Sequence, residues 1–173
     1  SELFYEGGVK VPAVISWPDH IKPGAVDTPI TVLDYFPTFL DIANVETDYL
    51  KEIDGRSILP LAFDIELDEK PVIWHIASTY RQPPLTAMRK GDWKLIRYPD
   101  RPAELYNVAA DPREMNNLAA IYPERVKKMY KLIFQWESTL ERPRWLLKRK
   151  YENVDIDRMD KYRDQSKFFK EER

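Results

Sequence analysis

One stretch of the chain, WHIASTYRQPP at residues 74–84, combines side chains that can recognise a polar substrate. His75 ends an apolar run, and Tyr80 and Arg81 follow in the next loop. Imidazole, phenol and guanidinium groups hydrogen-bond sugar hydroxyls or pair with anionic groups. The pattern predicts His75, Tyr80 and Arg81 as substrate-binding residues. A surface loop whose histidine bonds to the backbone is the alternative explanation.

A second stretch, Glu6-Gly7-Gly8, lies just before an apolar run. Paired glycines let backbone amides approach a charged group closely, so an anion cradle is one interpretation of this turn. A turn with a purely structural role is the other.

The remaining charged residues have structural explanations. Asp34 and Asp111 are predicted to cap helices. Asp34 begins a segment with a helical apolar stripe, and DPRE at residues 111–114 has the form of a capping box in which Glu114 reaches back to Asp111. His20 falls in a proline-rich turn, where we assign it no role. Four charged residues alternate along a predicted hairpin and are expected to form a solvated face: Arg89, Lys90, Asp92 and Lys94.

Composition narrows the function classes. The 173 residues are 43% hydrophobic, enough for one moderate core or two small ones. The formal net charge is −2 and no apolar run reaches the ~18 residues that span a bilayer, so we expect neither a nucleic-acid nor a membrane partner. The absence of cysteine excludes disulfides, thiolate metal sites and a cysteine nucleophile within this sequence.

The first third of the chain has an α/β pattern. Residues 9–17 predict a strand buried on both faces, residues 30–33 look extended, and a helical stripe begins at Asp34. A strand of this kind needs sheet partners that the sequence scarcely supplies. We therefore expect residues 1–68 to be the C-terminal end of a larger α/β domain.

The rest of the chain is α+β in character. Three strand-like runs, one divided by a tight turn at Gly91-Asp92, predict a four-stranded antiparallel sheet. A helix after Pro123 is expected to cover it with an apolar face: Val126, Met129, Tyr130, Ile133 and Trp136. Residues 69–143 would form this subdomain, and residues 144–173 a charged C-terminal arm.

These segments together resemble the C-terminal portion of a sulfatase. The resemblance covers residues 4–120 in order and spacing. Its motifs are FYEGGVKVP (4–12), WP (17–18), IKPG (21–24), DGRS (54–57), WH (74–75), RKGDWKLI (89–96), ELYN (104–107) and DPREMNNLA (111–119).

The resemblance implies a fold of the alkaline-phosphatase superfamily and hydrolysis of sulfate esters (a sulfuric ester hydrolase). Sulfatases use calcium and a formylglycine made from the first residue of a Cys/Ser-X-Pro-X-Arg motif. This chain contains no such motif, so we expect the nucleophile and the metal ligands outside it. We assign no catalytic residue and no metal ligand here, and expect the chain to bind no cofactor and to be inactive alone. The family's sulfate-contacting lysine would fall at Ser1.

Further roles follow from the resemblance. Glu6, Gly7 and Gly8 would form a structural turn beside the site, and the chain would shape a pocket for a sulfated carbohydrate or an aryl sulfate ester. The upstream catalytic portion of the same protein would be its partner, in the periplasm or outside the cell. Two alternatives stay open: a non-catalytic interaction module or truncated remnant, and a phosphonate or phosphate monoester hydrolase of the same superfamily.

Overall fold

The structure is a computed structural model that describes residues 4–76 and 84–141. It divides into two compact units: the sheet unit, residues 1–9 with 73–173, and the loop-rich unit, residues 10–72. The predicted C-terminal arm lies outside the described residues, and the predicted domain bounds stay a prediction. Within the described ranges, no helix is long and apolar enough to cross a membrane.

Four strands in sequential order form the sheet predicted from the sequence. They are β1 (Val72–Ile76), β2 (Leu85–Lys90), β3 (Trp93–Arg97) and β4 (Glu104–Asn107). The ladders between β2 and β3 and between β3 and β4 are antiparallel. Gly91, with φ 55°, lies in the tight turn after β2, where glycine carries no steric penalty.

One face of the sheet packs on a long helix, α3 (Pro123–Glu137), as predicted. Met129 and Ile133 of α3 form a buried cluster with one face of the strands and with the residue just before β4: Met88, Leu95, Leu105 and Ala103. Because β3 places successive side chains on opposite faces, Lys94 and Ile96 point away from α3.

A short segment covers the other face. Residues 4–9, here called the N-terminal strap, contain a single helical turn, α1 (Glu6–Val9). Phe4 is buried in a second cluster on this face: Ala87, Ile96, Tyr106 and Val108. The sheet is thus packed on both sides, by α3 and by the strap.

The loop-rich unit contains little regular structure. Its one α-helix in the described range is α2 (Tyr35–Ile42), with 3-10 turns at Val32–Asp34, Asp48–Lys51 and Leu59–Phe63. Asn44 follows α2 at φ 52°, a conformation that asparagine tolerates at a helix end.

Two sequence predictions for this unit are wrong. Residues 10–17 form neither strand nor helix, and the predicted extended run at 30–33 passes into a 3-10 turn at Val32. An isolated apolar segment does not become a strand without a neighbour to satisfy its backbone. The apolar stripe of α2 is also largely uncovered, with Phe36 53% and Phe39 65% exposed.

Candidate functional site

The Glu6-Gly7-Gly8 turn folds on itself and on the sheet. The backbone amides of Gly8 and Val9 donate to the carbonyl of Tyr5, at 2.8 and 3.1 Å. The amide of Glu6 donates to the Glu114 carboxylate. These three amides have acceptors inside the chain, so they are not arranged as a cradle for an external anion.

A buried cluster of charges lies beneath this turn. The Lys94 ammonium, with its side chain fully buried, lies 3.0 Å from Glu6 Oε1 and 2.9 Å from Glu114 Oε1. The Arg89 guanidinium approaches Glu6 Oε2 at 3.4 Å. Two cations and two anions balance one another, which buried charges require. The cluster joins the strap, β2, β3 and the loop after β4.

The solvated face predicted for the hairpin is therefore wrong at Lys94. Its side chain is covered by the strap and lies 5.8 Å from the centre of the Trp74 ring. One signal in the sequence indicated this burial: Ile96 lies two residues further along the same face, and an apolar neighbour at that spacing is typical of a covered face.

Glu114 enters the cluster through an unusual backbone conformation. Its φ is 53°, in the left-handed region that costs a non-glycine residue about 1–3 kcal/mol. The conformation places the carboxylate against Lys94 and the Glu6 amide. In the described structure Glu114 Oε1 is buried without a hydrogen-bond partner, so its ion pair with Lys94 at 2.9 Å is the contact that compensates its charge.

The predicted helix cap at Asp111 is wrong, because the residues that follow Asp111 do not form a helix. Residues 111–119 contain no helix, and the Asp111 carboxylate accepts hydrogen bonds from the amide and side chain of Asn116, at 2.8 and 3.2 Å. Glu114 does not reach back to Asp111 as a capping box requires, because its carboxylate is occupied by the buried cluster.

Three tyrosine hydroxyls meet on one carboxylate beside this cluster. Tyr106 and Tyr98 donate to Glu104 Oε2 at 3.0 and 3.2 Å, and Tyr5 of the strap donates to the same oxygen. Burial first, and then the hydrogen bond to Glu104, raises the pKa of Tyr5 well above its usual range. Burial and the charge of Glu104 raise the pKa of Tyr106 in the same direction.

His75 lies on the face of the sheet that carries α3. Its Nδ1 is 3.0 Å from Thr86 Oγ1, and its ring meets Trp136 edge-to-face with centroids 5.9 Å apart. Arg97 donates to the same hydroxyl at 2.9 Å and pairs with Glu137. The imidazole is exposed at its strand position yet held in one orientation.

The predicted site residues are not all brought together. His75 and Glu6 lie on opposite faces of the sheet, because Glu6 pairs with Lys94 and His75 packs against α3. Tyr80 and Arg81 lie outside the described residues. The role of the Glu6 turn beside a substrate site stays a prediction.

Two further residues considered in the sequence, Asp34 and His20, lie in the loop-rich unit. Asp34 directly precedes α2, but its side chain makes no capping bond to that helix. Its carboxylate instead accepts from the amides of Thr31 at 2.7 Å and Arg56 at 2.9 Å, tying two loops together. His20 stacks on Trp17 with centroids 4.2 Å apart.

The described residues offer no group of three or more histidine or acidic side chains able to hold a metal ion. The acidic residues that do meet, Glu6 and Glu114, are already paired with Lys94.

Comparison with known families decides the assignment. The family described as N-sulphoglucosamine sulphohydrolase, C-terminal, matches residues 1–143. This chain belongs to that sulfatase family. The match includes the strap, all four strands and α3.

Two relatives of this sulfatase chain are themselves named as sulfatases. It is 37% identical over 117 residues to a choline-sulfatase of Rhizobium meliloti, covering 67% of this chain and 22% of that protein. It is 35% identical over 146 residues to an N-acetylglucosamine-6-O-sulfatase of Bacteroides thetaiotaomicron, covering 76% and 25%. The chain thus spans about a quarter of the length of these relatives.

A solved structure supports the fold. The crystal structure of Ps i-CgsB superposes with a TM-score of 0.69, at 22% identity, over 84% of this chain and 34% of that one. The predicted fold class, a sulfatase C-terminal portion with a four-stranded antiparallel sheet and a covering helix, is confirmed.

Proposed function

We propose that this chain is the C-terminal part of a sulfatase that hydrolyses sulfate esters, and that it shapes the substrate pocket without performing the chemistry. The observation that carries the proposal is the family match over residues 1–143. The matched relatives are named as sulfatases, and the chain corresponds to about a quarter of their length.

In this proposal, residues outside the chain bind the calcium ion and supply the formylglycine. The chain has no cysteine and no serine in a Ser-X-Pro-X-Arg motif, so it cannot supply the formylglycine. Its described part has no cluster of three or more acidic or histidine side chains that could hold a metal ion. We therefore derive no catalytic step here and propose that the upstream portion of the protein supplies both.

Exposed apolar residues of the loop-rich unit support an upstream partner. Val11 and Val14 are 77% and 92% exposed, and Phe36 and Phe39 of α2 are more than half exposed. Exposed apolar surface on this scale is typical of an interaction site. We assign its partner to the upstream catalytic portion, in a periplasmic or secreted protein.

The proposed substrate class is a sulfated carbohydrate or an aryl sulfate ester. The exposed His75, oriented through Nδ1 by Thr86, would present Nε2 to a hydroxyl or sulfate oxygen. Tyr80 and Arg81, which follow His75 in the sequence, would complete the contacts. One of the relatives is named for a 6-O-sulfated N-acetylglucosamine, which fits the carbohydrate class.

Two protein samples test the proposal: the complete open reading frame, matured in a host that makes formylglycine, and residues 1–173 alone. Each sample is assayed for hydrolysis of four esters: N-acetylglucosamine-6-sulfate, choline sulfate, p-nitrophenyl sulfate and p-nitrophenyl phenylphosphonate. We expect the complete protein to hydrolyse at least one sulfate ester far faster than the phosphonate, and the chain alone to hydrolyse none.

Each other outcome selects an alternative. Preference for the phosphonate would assign the protein to phosphonate monoester hydrolysis. No turnover by the folded complete protein would favour a non-catalytic interaction module. Turnover by residues 1–173 alone would overturn the assignment of the nucleophile to other residues.

A further inference from the structure

The N-terminal strap contacts the sheet as a short peptide ligand contacts its receptor. Phe4 fills an apolar position, being only 6% exposed. Tyr5 follows with a hydroxyl bonded to Glu104, and Glu6 with a carboxylate between Lys94 and Arg89. Three consecutive side chains therefore each have a separate complementary partner on one face of the sheet.

The receptor surface is fixed by elements distant in sequence. Lys94 belongs to β3, whereas Glu114 follows β4. The Glu114 carboxylate accepts a hydrogen bond from the Glu6 amide and also pairs with Lys94. Without the strap, Lys94 would keep Glu114 as a partner, and the Arg89 guanidinium would lose the Glu6 carboxylate. The surface is therefore organised to accept an anionic residue at the position of Glu6.

The strap is joined to the following residues through an exposed, irregular stretch. Residues 10–17 form no helix or strand, and Val11 and Val14 are among the most exposed apolar residues of the described structure. The contacts described above for residues 4–9 are made with residues of the sheet unit. These contacts do not involve the peptide bond between Lys10 and Val11.

We propose that the sheet face formed by Trp74, Lys94 and Tyr106 is a peptide-recognition surface for an aromatic-aromatic-glutamate segment, occupied in this chain by its own residues 4–6. Recognition depends on the Glu6 carboxylate, which Lys94 and Arg89 select. The strap stays bound after the chain is cut behind it.

A cleavage experiment on the whole chain tests this inference. A recognition site for a site-specific protease is inserted between Lys10 and Val11, the folded chain is cleaved, and the released strap peptide is followed by gel filtration and mass spectrometry. An excess of synthetic peptide carrying residues 1–10 prevents rebinding and gives the dissociation rate. The variant is Glu6→Gln, which removes the charge at nearly constant size.

Glu124→Gln is the matched control, because it makes the same substitution on an exposed residue whose partner is Lys127. We expect the cleaved parent and the E124Q chain to keep the strap through gel filtration, and the E6Q chain to lose it at least tenfold faster. Loss of the strap from the parent during gel filtration would overturn the proposal. Equal dissociation from E6Q and E124Q would overturn the selection of the carboxylate.

If E6Q fails to fold before cleavage, Tyr5→Phe gives the second test. It removes the hydroxyl bond to Glu104 and leaves the charge cluster intact. Faster dissociation than in the parent supports peptide-like recognition, and an unchanged rate contradicts it.

Discussion

Lys94 Nζ lies 3.0 Å from Glu6 Oε1, although 88 residues separate the two in sequence. The pair ties the strap to β3 at a point sealed from solvent, with Glu114 as the second anion around the same ammonium. A buried ion pair contributes little net stability against an apolar replacement of the whole set, but removal of one member leaves the others uncompensated. We therefore expect the loss of Lys94 to weaken the attachment of the strap.

Lys94→Met tests that dependence. The substitution replaces the ammonium with an apolar side chain one heavy atom shorter, and it leaves Glu6 and Glu114 together without their shared cation. We expect the free energy of unfolding of the sheet unit to fall by about 3–5 kcal/mol. Urea unfolding followed by far-UV circular dichroism measures the change.

Lys127→Met is its control. Lys127 pairs with Glu124 on the exposed surface of α3, where such a pair contributes under about 1 kcal/mol. A loss in K94M no greater than in K127M would mean that the buried cluster does not stabilise the unit.

Gly55→Ala tests the close approach of two loops in the loop-rich unit. A Cβ at residue 55 would lie 1.9 Å from the carbonyl oxygen of Leu33 and 2.5 Å from its carbon. Both atoms are backbone, next to the Asp34 carboxylate that binds the Arg56 amide, so the clash cannot be relieved by a rotamer change. We expect a loss of about 1–3 kcal/mol or more in the free energy of unfolding.

Gly24→Ala is the matched control, since no atom lies within 4 Å of its Cβ position. We expect a change within about 0.5 kcal/mol, measured in the same urea titration. Equal stability of G55A and G24A would contradict the contact between residues 33 and 55.

Local patterns predicted the elements that carry their own periodicity. The hairpin around Gly91 alternates with period two, and α3 repeats its apolar residues at helical spacing, so both are formed as predicted. The strand at residues 9–17 was wrong because a strand depends on neighbours as well as on its own residues. The sequence predicts the turn in the strap, but it does not predict the sheet residues that the strap contacts.

Long-range partners explain what the sequence could not reveal. Glu6 and Glu114 are 108 residues apart, and no spacing rule connects them to each other or to Lys94. A charged residue in a hairpin is solvated in most proteins. The spacing to Ile96 indicates a covered face, but it does not identify the strap and Glu114 as the groups that cover Lys94. Glu114 likewise does not form the predicted capping box, because its carboxylate contacts Glu6 and Lys94, which are distant in sequence.

High pH is expected to weaken the sheet unit through Tyr5 and Tyr106. Burial and the Glu104 carboxylate raise the pKa of both phenols in the folded chain, whereas in the unfolded chain they ionise near pH 10. The raised pKa values give a contribution to stability that is fully present below pH 10. That contribution is lost as pH rises above 10, because the unfolded chain then releases protons that the folded chain retains.

Tyr5→Phe should reduce this loss. Urea unfolding between pH 8 and 11 is expected to show a shallower decline of stability in Y5F than in the parent, and absorbance at 295 nm should show fewer tyrosines ionising in the folded parent than in urea. Parallel declines in parent and Y5F above pH 10 would contradict a protonated Tyr5 in the fold.

His75→Ala tests the proposed substrate contact in the complete sulfatase. The imidazole is exposed on β1 and bonded through Nδ1 to Thr86, so its removal opens no cavity in the core. Loss of one hydrogen bond to a substrate hydroxyl or sulfate oxygen costs about 1–1.5 kcal/mol, which is about tenfold in affinity. We expect KM for the preferred sulfated substrate to rise about tenfold while kcat stays within twofold, because His75 would bind the substrate without taking part in the chemistry. His20→Ala, which removes the histidine stacked on Trp17, should leave both constants unchanged. If H75A has the KM of H20A and the same urea midpoint as the parent, His75 does not bind substrate.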